Sequence, residues 1–364
     1  MGELHSVDSL LERAVALGAS DLHLTAATPP VARVHGDLIA LDDCPTLDAE
    51  ATRSLLYRVL TTEQQKRLEI DRQLDFSYGV PGLSRFRVNV YVQRESLAAA
   101  FRVVPHELKS LDDLGLPAGL KTFAELPRGL VLVTGPTGSG KSTSLAAIID
   151  YINTNRRCHI ITVEDPVEYV HTHKLSAVSQ REVGNDTHSF ARALRAALRE
   201  DPDVILVGEM RDPETVQFAL SIAETGHLVF ATLHTNDAPQ SLDRISDMFS
   251  SERQNQIRVQ LAACLAGVIS QRLIPRIGGG MVAAFELLIA NNAVRSLVRE
   301  GKTHQIRNVL SAGRAEGMCT LETWLNHLVE NGLVTYDDAV ACSVHPKELK
   351  PPTGAPPQFA AATQ

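Results

Sequence analysis

A glycine-rich turn set between a short apolar run and a helical segment leaves this chain few architectures. Residues 129–143 read GLVLVTGPTGSGKST, with Leu130–Val133 as the apolar run. The spacing Gly135-x4-Gly140-Lys141-Ser142 is that of a phosphate-binding P-loop. Glycines let successive backbone N–H groups turn toward a phosphate without Cβ clashes. The helix that starts near Lys141 adds its positive N-terminal end. Gly135, Pro136, Thr137, Gly138, Ser139, Gly140, Lys141, Ser142 and Thr143 are therefore the candidate nucleotide binders. Lys141 is placed to reach the β- and γ-phosphates of ATP, and the Ser142 hydroxyl to ligate Mg2+.

From Leu120 onward strands alternate with helices, the pattern of an α/β domain with a parallel sheet. Apolar runs at 130–133, 159–163, 203–207 and 228–232 are the expected core strands. Their downstream ends carry the P-loop, then Glu164-Asp165, then Glu209, then His234. Ligands of open parallel sheets bind beyond the carboxyl ends of the strands, so these groups are expected at one site. Phosphate binders, carboxylates and a histidine together point to ATP hydrolysis rather than binding alone. Glu209, after the hydrophobic VILVG, suits the water shell of Mg2+ or the polarisation of an attacking water. Glu164 is a second carboxylate for orienting or deprotonating water. His234 lies on the nucleotide side of its strand, and His227, at the other end of LVFATL, is a further candidate. The pair His171-x-His173 has no further ligand pattern beside it, and no metal role is assigned to it.

The first hundred residues read as a small α+β domain. Helical spacing covers 7–18 and 48–69, and β-like runs fall at 21–24, 31–35, 38–41, 74–79, 84–92 and 97–104. Domain boundaries are expected at 1–104, a linker at 105–117, the P-loop domain with a helical C-terminal part at 118–349, and a disordered tail at 350–364. After Arg272 the chain is expected to be mostly helical, with helices near 292–300, 303–312, 320–330 and 336–342. Five arginines are candidates for phosphate charge: Arg85 and Arg87 on one face of a strand, Arg102 on the next strand, and Arg195 and Arg199 spaced i,i+4 on a helix.

Composition narrows the setting. A net charge of −8 argues against a general nucleic-acid binder. No apolar run has the length of a membrane-spanning helix, and the acid-bearing N-terminus lacks an apolar signal core. Five scattered cysteines with no CxxC pair fit buried thiols in a reducing compartment, so the expected location is the cytoplasm.

Four stretches carry a family resemblance. GPTGSGKST (135–143), ITVEDPVEY (161–169), REVGNDTHSFARALRAALREDPDVILVGEMRD (181–212) and TGHLVFATLHTND (225–237) resemble the Walker A, Asp box, Walker B and His box of the secretion-type ATPases of type IV pili and type II secretion. ASDLHLTAATPPVARVHGDL (19–38) resembles that family's PAS-like domain. Within the family the chain looks most like the pilus retraction ATPases. It is short, without the long N-terminal domain or cysteine-rich element of the extension and secretion motors, and NAVRSLVREGK (292–302) resembles a segment characteristic of the retraction branch. That segment departs from the pattern at three positions, which keeps accessory retraction ATPases open.

The resemblance implies a RecA-like ATPase domain behind a PAS-like domain, with a helical extension. It implies a cytoplasmic homohexamer at the inner membrane, touching the membrane only through a platform protein, and the acidic net charge adds the expectation that no nucleic acid is bound. It also implies that Glu164 and Glu209 share the hydrolytic work, with either as the base. Arg85 or Arg87, Arg102, and Arg195 and Arg199 would face phosphate, some across the subunit boundary.

Overall fold

The computed structural model describes residues 6–34, 36–41, 43–104, 108–117 and 119–351. The chain divides into two units, Met1–Glu107 with Pro166–Val170, and Leu108–Asp165 with His171–Gln364.

The first unit is built on six antiparallel strands: β1 (Ala19–Thr25), β2 (Val31–Val34), β3 (Asp37–Ala40), β4 (Gln73–Val80), β5 (Ser84–Gln93) and β6 (Ser96–Val104). Their order across the sheet is β3-β2-β1-β6-β5-β4. Helices Val7–Ala16, Ala49–Val59 and Thr62–Asp71 belong to the same unit, and their apolar residues join the sheet's in one core. Leu10, Leu11, Leu22, Leu24, Leu55, Leu56, Phe86 and Phe101 form its centre. Strand β5 alternates as the period of two demands: Ser84, Phe86, Val88 and Val90 are buried, while Arg85 and Arg87 share the opposite face. The helical stretch expected at 48–69 is in fact two helices. Thr61 breaks it, accepting from the Gln64 N–H while the Gln64 side chain accepts from the Thr61 N–H, a capping box that starts a new helix.

The β5–β6 hairpin turns on two residues, Arg94 and Glu95, at φ of 44° and 64°. Such two-residue turns favour Asn-Gly, because both positions need positive φ. Replacing Arg94-Glu95 with Asn-Gly should stabilise the protein by about 0.5–1 kcal/mol. A rise in the urea midpoint at unchanged slope would show it, and an unchanged or lower midpoint would mean that the positive φ at Arg94 and Glu95 costs nothing.

The second unit holds a seven-stranded sheet: β7 (Gly129–Thr134), β8 (His159–Glu164), β9 (Ala177–Glu182), β10 (Val204–Val207), β11 (Leu228–Leu233), β12 (Leu265–Pro275) and β13 (Met281–Ile289). The order is β13-β12-β7-β11-β10-β8-β9, parallel throughout except for the antiparallel β12–β13 pair. Every residue of β7, β10 and β11 is buried, which is why these strands read as unbroken apolar runs. Alternate residues feed opposite cores. Leu130 and Leu132 pack with the helices Pro213–Glu224, Ala238–Asp247 and Ser251–Cys264, whereas Val131 and Val133 pack with Lys141–Asn155. This is an open α/β sheet of RecA-like type with its phosphate loop on an inner strand.

Two expectations need correction. The four expected core strands are the middle of a sheet of seven. The polar edge strand β9 and the β12–β13 hairpin were not foreseen, and the stretch after Arg272 is not helical until Asn292. β12 follows the helix Ser251–Cys264 with no glycine or proline break, so periodicity alone does not mark its start. The four later helices form Asn292–Glu300, Ile306–Ala312, Leu321–Glu330 and Tyr336–Cys342, close to the expected places. The last two pack through Leu325, Leu328 and Ala339 against Ile274 and Ala284 of the hairpin. Of the expected linker, residues 105–107 lie outside the described residues, and Leu111 is buried in a core of the second unit. Of the expected tail, 352–364 lie outside the described residues, while the Lys350 N–H donates to Asn326 Oδ1.

Candidate active site

The P-loop runs from the end of β7 into the helix Lys141–Asn155. Gly135, Gly138 and Gly140 all have positive φ. At Gly135 no other residue fits, because a Cβ would stand 2.2 Å from the Gln271 carbonyl oxygen of β12. Gly140 is the N-cap, and no side-chain hydrogen bond caps the helix there, whose positive N-terminal end suits an anion. The Lys141 ammonium, 8% exposed, lies over the loop and donates to the carbonyls of Gly135 (2.7 Å) and Pro136 (3.0 Å). Ser142 and Thr143 are half-buried in the first turn of the helix. A glycine-rich turn at a helix N-terminus with a lysine folded across it suits the phosphates of a nucleotide.

The carboxylates stand on neighbouring strand ends. Val163 pairs with Val207, so Glu164 lies across from Gly208 and next to Glu209. A Cβ on Gly208 would meet the Glu164 Cα and the Val163 oxygen at 3.1 Å, so glycine is what lets these two ends approach. Thr162 Oγ1 donates to Glu164 at 2.6 Å, and Gln180 Nε2 does so at 3.3 Å. Glu209 is held by Arg211 Nη2 at 2.6 Å and by His234 Nε2 at 3.2 Å. Partial burial pushes the Glu209 carboxyl up, but the Arg211 hydrogen bond and the charges of His234 and Arg211 outweigh it and leave the pKa below the usual value. Glu209 is thus ionised at neutral pH, as a ligand for cationic groups must be.

Of the expected residues, the P-loop, Glu164, Glu209 and His234 come together at the carboxyl ends of β7, β8, β10 and β11. His227 does not. It precedes β11, with Nδ1 at 3.0 Å from the Ile222 oxygen, a strand length of roughly 20 Å from His234. The same nitrogen lies 3.2 Å from the Thr225 hydroxyl. Arg195 and Arg199 are both exposed, but they do not share a helix: it ends at Ala197, and Arg199 lies in the following turn, its N–H donating to the Ala196 oxygen.

In the first unit Arg87 and Arg102 are register partners, and Arg102 is in turn opposite Asp21. Arg102 Nε donates to Asp21 at 2.9 Å, which leaves both Nη groups without a partner among the described residues. Burial raises the Asp21 pKa, but the bonds from Arg102 and Ser20 more than reverse it. Sequence reasoning missed Arg211, Thr162 and Gln180. Arg211 and Thr162 each carried a legible signal, standing two residues from the acid they bind, Thr162 on the same face of β8; Gln180 needs the sheet order.

Residues 4–332 match the family described as "Type II/IV secretion system protein". The type IV pilus "retractation" ATPase PilT of Pseudomonas aeruginosa is 48% identical over 333 residues, covering 92% of this chain and 96% of the relative. The type IV pilus ATPase PilU of the same organism is 39% identical over 344 residues, covering 94% and 90%. A crystal structure of the pilus retraction motor PilT with bound ADP superposes with a TM-score of 0.89 at 52% identity, over 95% of this chain and 99% of that one. This chain belongs to the type II/IV secretion system protein family.

Proposed function

We propose that this chain is an ATP-hydrolysing motor that drives retraction of type IV pili. The observation that carries the reading is the convergence of a P-loop with two held carboxylates, in a chain alike over nearly its whole length to a retraction ATPase. The greater identity to PilT than to PilU, 48% against 39%, supports the motor over the accessory reading.

The P-loop N–H groups and Lys141 hold the phosphates, and Ser142 with Glu209 would hold Mg2+, Glu209 partly through water. Mg2+, when bound, supplies charge neutralisation on the phosphate oxygens. Glu164, fixed by Thr162 and Gln180, orients the attacking water. His234, bonded to Glu209, links that carboxylate to the end of β11. The assembly is a homohexamer at the cytoplasmic face of the inner membrane, acting on a platform protein. There Arg102, with Arg87 and Arg85 beside it, supplies cationic charge to a neighbouring subunit's phosphate. The two Nη groups of Arg102, without a partner among the described residues, support that role.

The test is a count of surface pili in cells lacking this gene, with wild-type or Lys141→Ala copies restored. More surface pili with lost twitching, corrected only by the wild-type copy, is the expected result. Bald cells would overturn it in favour of an extension or secretion motor.

A further inference from the structure

Beside the P-loop, strand β12 carries a buried side chain that the hydrolytic groups do not account for. Gln271 is 2% exposed, and its Nε2 donates to the backbone oxygen of Ser139 at 2.8 Å. Its Oε1 is buried with no partner among the described residues. Ser139, in the middle of the P-loop and 3% exposed, has the complementary defect: its Oγ is also buried without a partner. A Cβ added to Gly140 would stand 2.8 Å from Gln271 Nε2, so the amide is pressed directly against the loop. One strand position earlier, Ser270 accepts a 3.0 Å hydrogen bond from Thr134, the last residue of β7, which fixes β12 to the base of the loop.

Buried polar atoms are almost always paired, and each orphan costs free energy comparable to a lost hydrogen bond. Here an unused acceptor and an unused donor sit on two residues already joined by one hydrogen bond. A small shift of residues 138–140 is enough to let the Ser139 hydroxyl turn to the Gln271 amide oxygen. Phosphate supplies a reason for that shift, because it recruits the loop's N–H groups and draws Lys141 away from the carbonyls of Gly135 and Pro136.

We infer that Gln271 and Ser139 form a latch that closes when the P-loop holds phosphate, with Gln271 as a positioning residue for the nucleotide. The inference rests on the P-loop being the nucleotide site. With phosphate held, both bonds form, Gln271 Nε2 to the Ser139 carbonyl oxygen and the Ser139 hydroxyl to Gln271 Oε1. Part of the affinity for ADP then comes from a contact that touches no atom of ADP. The hairpin β12–β13, which carries Gln271, is thereby tied to nucleotide occupancy.

The experiment is a double-substitution cycle on the full chain, reading MgADP affinity by calorimetry and thermal stability without nucleotide. Gln271→Met keeps the side-chain shape without hydrogen bonds, and Ser139→Ala removes only the hydroxyl. Each should weaken MgADP binding about fivefold, the worth of one hydrogen bond. The double variant should bind no more weakly than Gln271→Met alone, and Ser139→Ala should melt without nucleotide at or above the wild-type temperature. Wild-type affinity in either single variant, or a double variant weakened by the product of the two factors, would overturn the latch. Wild-type protein that bound no MgADP would instead overturn the nucleotide site itself, so the two failures are separable.

Discussion

Replacing Lys141 with alanine should lower the rate of ATP hydrolysis by at least about 100-fold while leaving the fold in place. A single charged donor aimed at developing charge is typically worth two to three orders of magnitude in rate. Lys141 is the cation that lies in the loop, reaching the Gly135 and Pro136 carbonyls from the first turn of its helix. Phosphoryl transfer asks little covalent chemistry of a protein, so positioning and charge carry most of the catalysis. The cost to folding is small by comparison. Alanine is a better helix former than lysine, and the neighbouring core residues Leu145, Ile148 and Ile149 are untouched. Phosphate release should therefore collapse while the circular dichroism melt moves by only a few degrees. Hydrolysis at the wild-type rate would remove the P-loop from the catalytic site. A melt that collapsed together with activity would instead make Lys141 a structural residue.

How much of this was legible in the sequence depended on whether the physics was local. The P-loop was legible because its glycines and lysine at fixed spacing serve one purpose, and β7 before it is apolar at every position. Glu164, Glu209 and His234 were legible because each ends an apolar run, and parallel strands that run the same way deliver their ends to the same edge. Arg85 and Arg87 sharing a face followed from the period of two. What depended on neighbours was hidden. Nothing local says that β12 lies beside β7, yet that adjacency presses Gln271 on the loop and forces glycine at 135. Nothing local says that Gln180 reaches Glu164, because that contact needs β9 beside β8. The helix expected to carry Arg199 stops two residues short, an end effect of the kind that periodicity resolves poorly.

The second large effect concerns a group outside the site. Glu286, on β13, is 6% exposed and accepts the N–H of Ala238 at 2.9 Å, at the start of the helix that follows His234. Burial is the main influence on its carboxyl. The Ala238 N–H and Arg307 oppose it, Asp237 and Glu322 add to it, and the pKa is pushed up to about 7 from an ordinary 4.5. The folded protein thus holds this proton more tightly than the unfolded chain does. The associated stability is fully present below pH 4.5 and is lost as pH rises through 7, a loss on the order of 3 kcal/mol by linkage.

His171 works in the opposite sense. Burial lowers its pKa from 6.5 to about 4, so its contribution is present above pH 6.5 and fades as pH falls. The two slopes partly cancel in wild type, so the difference between variants is the informative quantity. Glu286→Gln keeps an oxygen for the Ala238 N–H and cannot ionise. Urea unfolding should find the variant close to wild type at pH 5 and more stable by about 2–3 kcal/mol at pH 8.5. A difference that stayed flat from pH 5 to pH 8.5 would mean that Glu286 titrates as an ordinary carboxylate, solvated despite its burial. A variant that gained stability only at high pH would show instead that the working state carries a buried charge under the helix after His234. Removing that charge, and comparing hydrolysis rates at pH 8.5, would then report how far the site depends on where that helix begins.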